Sequence, residues 1–198
     1  ERFAPLPLQA GFDNAGLQVG LTEAEVSGAL LCLDVTETIV DEAIARGCNL
    51  IVSHHPLIFR KLSCISDGDY VQRTVFKAIQ RGIVIVSMHT NMDSAVGGVN
   101  YKIAEKLGLQ DLSFIGQQQE VEGVSGGEGV IGRFAKPVAA DDLVLLLKKE
   151  FGVECVQANQ LLRRPIEKVA LCGGSGAFLL PEAVRLGACL LYTSPSPR

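Results

Sequence analysis

Several things are scarce in this 198-residue chain, and each scarcity removes a class of function. Positive charge is short: 18 Lys and Arg against 22 Asp and Glu give a net charge of −4 and a pI near 5.4. There is therefore no basic field to attract nucleic acid. No apolar run approaches the length of a bilayer span, and no basic-then-apolar leader opens the chain, so the expected setting is cytoplasmic, without a membrane partner. The six cysteines lie far apart with no C-x-x-C pair, a pattern for buried, reduced thiols rather than a disulfide framework or a zinc knuckle. Nucleophile elbows and triad-like contexts are missing. So are H-x-H, H-x-H-x-D-H and H-E-x-x-H, which argues against barrel amidohydrolases, β-lactamase-fold hydrolases and zincins.

Histidine is scarce too, with three residues, but their placement is informative. Ser53-His54-His55-Pro56 follows the apolar run 48–52, which reads as a buried strand rich in β-branched residues. Two imidazoles then stand where the strand ends. Adjacent side chains there are expected to point apart, serving two metal ions, or one metal and one hydrogen-bonding partner, more easily than chelating one ion. Pro56 biases His55 towards extended backbone and stiffens the corner. His89 repeats the context: Ile83 to Met88 is a second such run, followed by His89-Thr90-Asn91-Met92-Asp93. If the two strands are parallel neighbours, His54, His55, His89 and Asp93 converge at the carboxyl edge of a sheet, where open α/β sheets carry their sites. A lone histidine is usually a satisfied polar group, but three with an aspartate at two strand ends point to metal. Imidazole with carboxylate suits zinc, iron, manganese, nickel or cobalt, and water activated by metal is the chemistry left.

The surrounding pattern is α/β. A strand is expected over Val26 to Leu33, and a helix capped by Thr36 carries Ile39, Val40, Ala43 and Ile44 at helical spacing before Gly47 stops it. This strand–helix–strand unit implies parallel pairing. A second stripe runs from Tyr70 to Ile79 and ends at Gly82, and a third helix follows Gly97-Gly98 with Val99, Ile103, Ala104 and Leu107. Residues 117–129 are rich in Gln, Glu and Gly without periodicity and read as a loop or connector. Beyond them a strand at 130–134, a helix striped by Leu143, Leu146, Leu147 and Phe151, and strands at 153–157 and 168–172 are expected. Gly173-Gly174-Ser175-Gly176 then leads into a helix from about Phe178 to Leu186; such a turn can bind an anion or simply permit close helix–sheet packing, and it matches neither phosphate-loop fingerprint. Asp13-Asn14 precedes the first strand, either building a turn or reaching the metal pocket as a hydrogen-bond partner.

Together, Asp13-Asn14-x-Gly16-Leu17-Gln18-Val19-Gly20, Ser53 to Phe59, His89 to Asp93, Gly97-Gly98-Val99-Asn100, Gly132-Arg133 and Val169 to Gly176 resemble the motifs of the GTP cyclohydrolase 1 type 2 homologue family, also described as interacting-factor-3-like dinuclear metal proteins. The resemblance runs from Pro5 to Ala188. It implies two similar α/β lobes of mainly parallel strands, with the metal site at strand carboxyl ends between them. It also implies two divalent ions, with His54 and His55 on different ions, Asp93 a ligand, and His89 in or beside the ligand set as a proton shuttle. A nucleotide-like substrate, hydrolysed as in GTP ring opening, and a toroidal homohexamer are implied; the alternative is a non-enzymatic metal-stabilised scaffold or regulatory interaction factor. The expected organisation is an N-terminal lobe 1–116, a connector 117–129, a partial C-terminal lobe 130–189 and a non-native tail 190–198. The family's remaining His and Glu ligands fall beyond Ala188 and its N-terminal helix before Pro5, so the chain is expected to be truncated at both ends, with an incomplete site.

Overall fold

The computed structural model describes residues 2–160 and 162–193, which divide into two compact units, 1–92 and 93–198. In the first unit the strands are β1 (Gly16–Val19), β2 (Ala29–Cys32), β3 (Leu50–Ser53) and β4 (Val84–Ser87), in the order β1-β4-β3-β2. β2, β3 and β4 are parallel, with Cys32, Ser53 and Ser87 in register at their carboxyl ends, and β1 runs antiparallel to β4 with Gly16 opposite Ser87. The expected parallel pairing of the two histidine-bearing strands is therefore present.

Helices α1 (Glu37–Ala45) and α2 (Tyr70–Gln80) make the crossovers. Each starts on a side-chain cap: the Thr36 hydroxyl accepts from the Ile39 amide at 3.3 Å, and the Asp69 carboxylate from the Gln72 amide at 2.9 Å. They bury Val40 and Ala43, and Thr74, Val75 and Ala78, against Ile51 and Ile85 of the central strands. Each isoleucine is fully buried, which is worth about 1.5–3 kcal/mol.

The second unit contains the short helix α3 (Thr90–Ser94), which begins in the first unit, then α4 (Val99–Lys106), β5 (Leu109–Val121), β6 (Val124–Val138), α5 (Ala140–Phe151), β7 (Ile166–Cys172), α6 (Leu180–Arg185) and β8 (Leu190–Thr193). The sheet order is β5-β6-β7-β8, antiparallel except for the last pair. Parallel pairing thus dominates the first unit only: β5 and β6 form a hairpin, and β7, reached through α5, pairs antiparallel to β6. One face buries Leu143 and Leu147 of α5 and Ile103 of α4 against Val130, Val169 and Leu171; the other buries Leu179 and Ala183 against Ile115, Ile131 and Ala170.

Four expectations need correction. Residues 117–129 are no loop but the tip of a hairpin, with Gln118 opposite Gly127 and Val121 opposite Val124. Glu122 (φ 52°) and Gly123 (φ 79°) close it as a two-residue turn with both central residues left-handed. The ladder there is held by backbone pairing, and a Cβ on Gly127 would lie 2.7 Å from Phe114, so apolar alternation is absent where the strands are most intimate. Consequently the first compact unit ends at Met92 rather than 116. Residues 153–157 form no strand, since β6 and β7 pair directly and leave no interior place in the sheet. Finally, 190–193 is a paired strand rather than an unpacked tail, with Val169 opposite Leu190 and Leu171 opposite Tyr192. Residues 194–198 of the expected tail lie outside the described residues.

Candidate metal centre

The three parallel strands of the first unit end at one edge, and the chain deposits a histidine or an aspartate just beyond each. The ladder continues past the formal strand ends: His54 N–H donates to Cys32 C=O at 3.1 Å, His55 N–H to Leu33 C=O at 2.9 Å, and Met88 N–H to Ser53 C=O at 2.8 Å. Beneath them the Ser53 and Ser87 hydroxyls meet at 2.8 Å, and Ser53 also donates to the His55 carbonyl at 2.9 Å. The backbone bearing the imidazoles is therefore tied to the sheet.

His54, His55 and His89 come together. Their ring centroids are 5.0, 5.3 and 5.6 Å apart, and one ring nitrogen from each lies within 4.8 Å of the others. The expectation that the first two point apart fails because strand alternation stops at Ser53 and the chain bends at His54 and His55.

Each Nδ1 has its own acceptor: the Met88 carbonyl for His54 at 3.0 Å, Asp34 for His55 at 2.8 Å and Asp13 for His89 at 2.7 Å. A carbonyl or ionised carboxylate can only accept, so each neutral imidazole carries its proton on Nδ1 and has its lone pair on Nε2. This is the arrangement in which metal-binding histidines are held. Burial, then the neighbouring His55 and His89, push His54 down to about 4, so at neutral pH it is deprotonated and need lose no proton to bind a cation.

Asp13 is the more enclosed of the two carboxylates, its side chain fully buried where that of Asp34 is half exposed. Burial would raise its pKa, but hydrogen bonds from His89, Thr90 and the Asn14 amide overcome this and hold it at about 2. The antiparallel β1 explains its position: a strand antiparallel to β4 begins where β4 ends, so the residues just before Gly16 arrive at His89. Of the two readings of Asp13 open in the sequence, the hydrogen-bond partner holds. Asp34 was not among the expected residues; its signal was its place two residues beyond β2, at the same carboxyl edge.

Asp93 lies in α3, at the start of the second unit, with Oδ1 buried and 3.9 Å from where a Cβ on Gly173 would stand. Its charge, after burial, helps push the Cys172 thiol up to about 12. Gly173 N–H donates to Asn100 Oδ1 at 2.7 Å, and a Cβ on Gly176 would fall 2.4 Å from that of Cys172, so the glycine turn serves close packing. All six cysteines are free thiols. Among the described residues no helix is long and apolar enough to cross a membrane.

Three imidazole nitrogens suit one ion of the zinc, cobalt, nickel, iron or manganese group, and the orientation of all three Nδ1 atoms fits such a role.

Comparison with known proteins agrees with this architecture. The chain is 36% identical over 193 residues to a Clostridium perfringens protein named GTP cyclohydrolase 1 type 2 homolog, covering 98% of this chain and 73% of that one. It is 33% identical over 199 residues to its namesake in Lactococcus lactis, with coverage of 98% and 73%. The crystal structure of a Staphylococcus aureus protein superposes with a TM-score of 0.87 at 27% identity, over all of this chain and 77% of that one. A Bacillus cereus protein related to NIF3 gives 0.86 at 23% identity, over 99% and 80%, a likeness of fold. The family model described as Duf34/NIF3 (NGG1p interacting factor 3) matches residues 1–195, and the chain belongs to that family.

Proposed function

We propose that the histidine trio is this chain's share of a divalent-metal centre serving hydrolysis of a small, nucleotide-like substrate. The observation that carries this is the convergence of three imidazoles, with one ring nitrogen of each within 4.8 Å of the others and each Nδ1 hydrogen-bonded. His54 and His55 act as ligands, and Asp93 is the proposed carboxylate ligand. A bound divalent ion supplies water acidified towards a pKa of about 7. His89 keeps its Nδ1 proton on Asp13 while Nε2 accepts a proton from the reacting group and returns it to the departing one, with Asp13 stabilising the transient imidazolium. The nucleotide comes from the name carried by the relatives, and two ions per complete site, a cytoplasmic setting and homo-oligomeric assembly belong to the same proposal.

Chelator-stripped protein is titrated with Zn²⁺, Co²⁺, Mn²⁺, Fe²⁺ and Ni²⁺, and the retained metal is counted after gel filtration with light scattering. At least one ion per chain is expected, lost in His54→Ala and His55→Ala; a chain that retains none sinks the reading. Loaded protein is then offered a nucleotide panel with formate release as readout. Metal-dependent turnover supports the hydrolase, whereas stoichiometric metal and ring assembly without turnover of any nucleotide would replace it by a metal-stabilised scaffold.

A further inference from the structure

We infer that Asp13 is a positioning residue for His89, and that its segment ties the loop carrying His89 to the loop carrying His54 and His55. The inference deepens the metal reading and rests on it for its functional meaning.

The Asp13 carboxylate gathers four donors. Oδ1 accepts from His89 Nδ1 at 2.7 Å and from the Asn14 amide at 2.7 Å; Oδ2 accepts from the Thr90 amide at 3.1 Å and from the Thr90 hydroxyl. Thr90 Oγ1 accepts in turn from the Ala10 amide at 2.8 Å. A carboxylate with every approach occupied and no exposed surface cannot swing away, and charge-assisted bonds of this kind are about twice as strong as neutral ones.

The next residues reach the other loop. Asn14 Nδ2 donates to the Ile58 carbonyl at 2.6 Å, Gln18 Oε1 accepts from the Ile58 amide at 3.1 Å, and Gln18 Nε2 donates back to the Asn14 carbonyl at 2.6 Å. Both backbone polar groups of Ile58, three residues after His55, are thus held by side chains of the segment that holds His89. The adjacent Phe59 ring stands edge-on to His89, with centroids 6.3 Å apart. One short stretch that runs into β1 therefore sets where His89 stands relative to the histidine pair and which of its nitrogens carries the proton. His55 has a counterpart in Asp34, but that carboxylate is half exposed and makes a weaker anchor.

Nitrogen-15 spectra of the metal-free, full 198-residue protein read the tautomers directly. In the wild type His89 is expected as the Nδ1–H form. Asp13→Ala should release it into a tautomer mixture. Asp13→Asn, which keeps an acceptor oxygen and the shape, should retain the Nδ1–H form with a shifted His89 resonance, and it carries the test if the alanine variant fails to fold. Asp34→Ala should disturb His55 and leave His89 alone. An unchanged His89 spectrum in Asp13→Ala, or in Asp13→Asn a His89 resonance at its wild-type position, would overturn the inference. A wild-type chain that binds no cobalt defeats the metal reading instead, and the tautomer spectra still decide the role of Asp13.

Discussion

Among the residues of the centre, the charge states follow from what each ring or carboxylate loses and gains on folding. His54 titrates near 4 in the folded chain against an ordinary 6.5, burial being the main cause. As pH falls through 6.5 the unfolded chain takes up a proton there and the folded chain does not, so stability declines between about pH 6.5 and 4. Asp13 is shifted the other way relative to its charge: at about 2 against 3.8, it stays ionised on its hydrogen bonds, and the stability they contribute is lost as pH falls from 3.8 towards 2. Urea unfolding of chelator-treated protein across this range should show both declines. His54→Gln should flatten the upper one and Asp13→Asn the lower, and a His54→Gln profile that keeps the wild-type slope between pH 6.5 and 4 would refute the assignment.

Among the elements, β8 tests the corrected view of the chain's last described strand. Leu190 and Tyr192 pack on the cluster built by α5, β6 and β7, and the Tyr192 ring stacks on Phe151 with centroids 5.9 Å apart. Ending the chain after Cys189 removes that surface and bares the edge of β7, a loss on the order of 2–4 kcal/mol. For a chain of this size the Tm of the second unit should fall by roughly 5–15 °C; an unchanged Tm would return residues 190–193 to the status of a tail. The segment was misjudged in sequence because Leu190 to Thr193 is short and runs into Ser-Pro-Ser-Pro, while its pairing partner β7 lies 18 or more residues earlier. The hairpin was missed for the opposite reason: a left-handed Glu122-Gly123 turn sets its register locally, and Gln, Glu and Gly carry no apolar alternation.

For the whole molecule, the histidines and both anchoring carboxylates belong to the first unit, which has its own core of Val40, Ile51, Val75 and Ile85. A ligand that binds only the folded form stabilises it by mass action, by about 2.7 kcal/mol at a hundred times its Kd. Added Zn²⁺ should accordingly slow hydrogen exchange at the carboxyl ends of β3 and β4 and around Asp13, with little change in β6 and β7. Equal protection throughout, or protection confined to β6 and β7, would move the site away from the trio.

The sequence by itself determined much of this protein: two β-branched runs ending in His54-His55 and His89, helices stopped by glycine between them, and hence a parallel sheet with imidazoles at one edge. Local periodicity and capping suffice for that, because each signal spans only a few residues. Tertiary structure decided the rest. Which nitrogen of each ring carries the proton depends on Asp13, Asp34 and the Met88 carbonyl, which lie 76, 21 and 34 residues from the rings they hold. Asp13 reaches His89 only because β1 runs antiparallel to β4, and His54 and His55 converge only because the strand's alternation ends one residue before them. Those are consequences of pairing direction and register, which no stretch of neighbouring residues encodes.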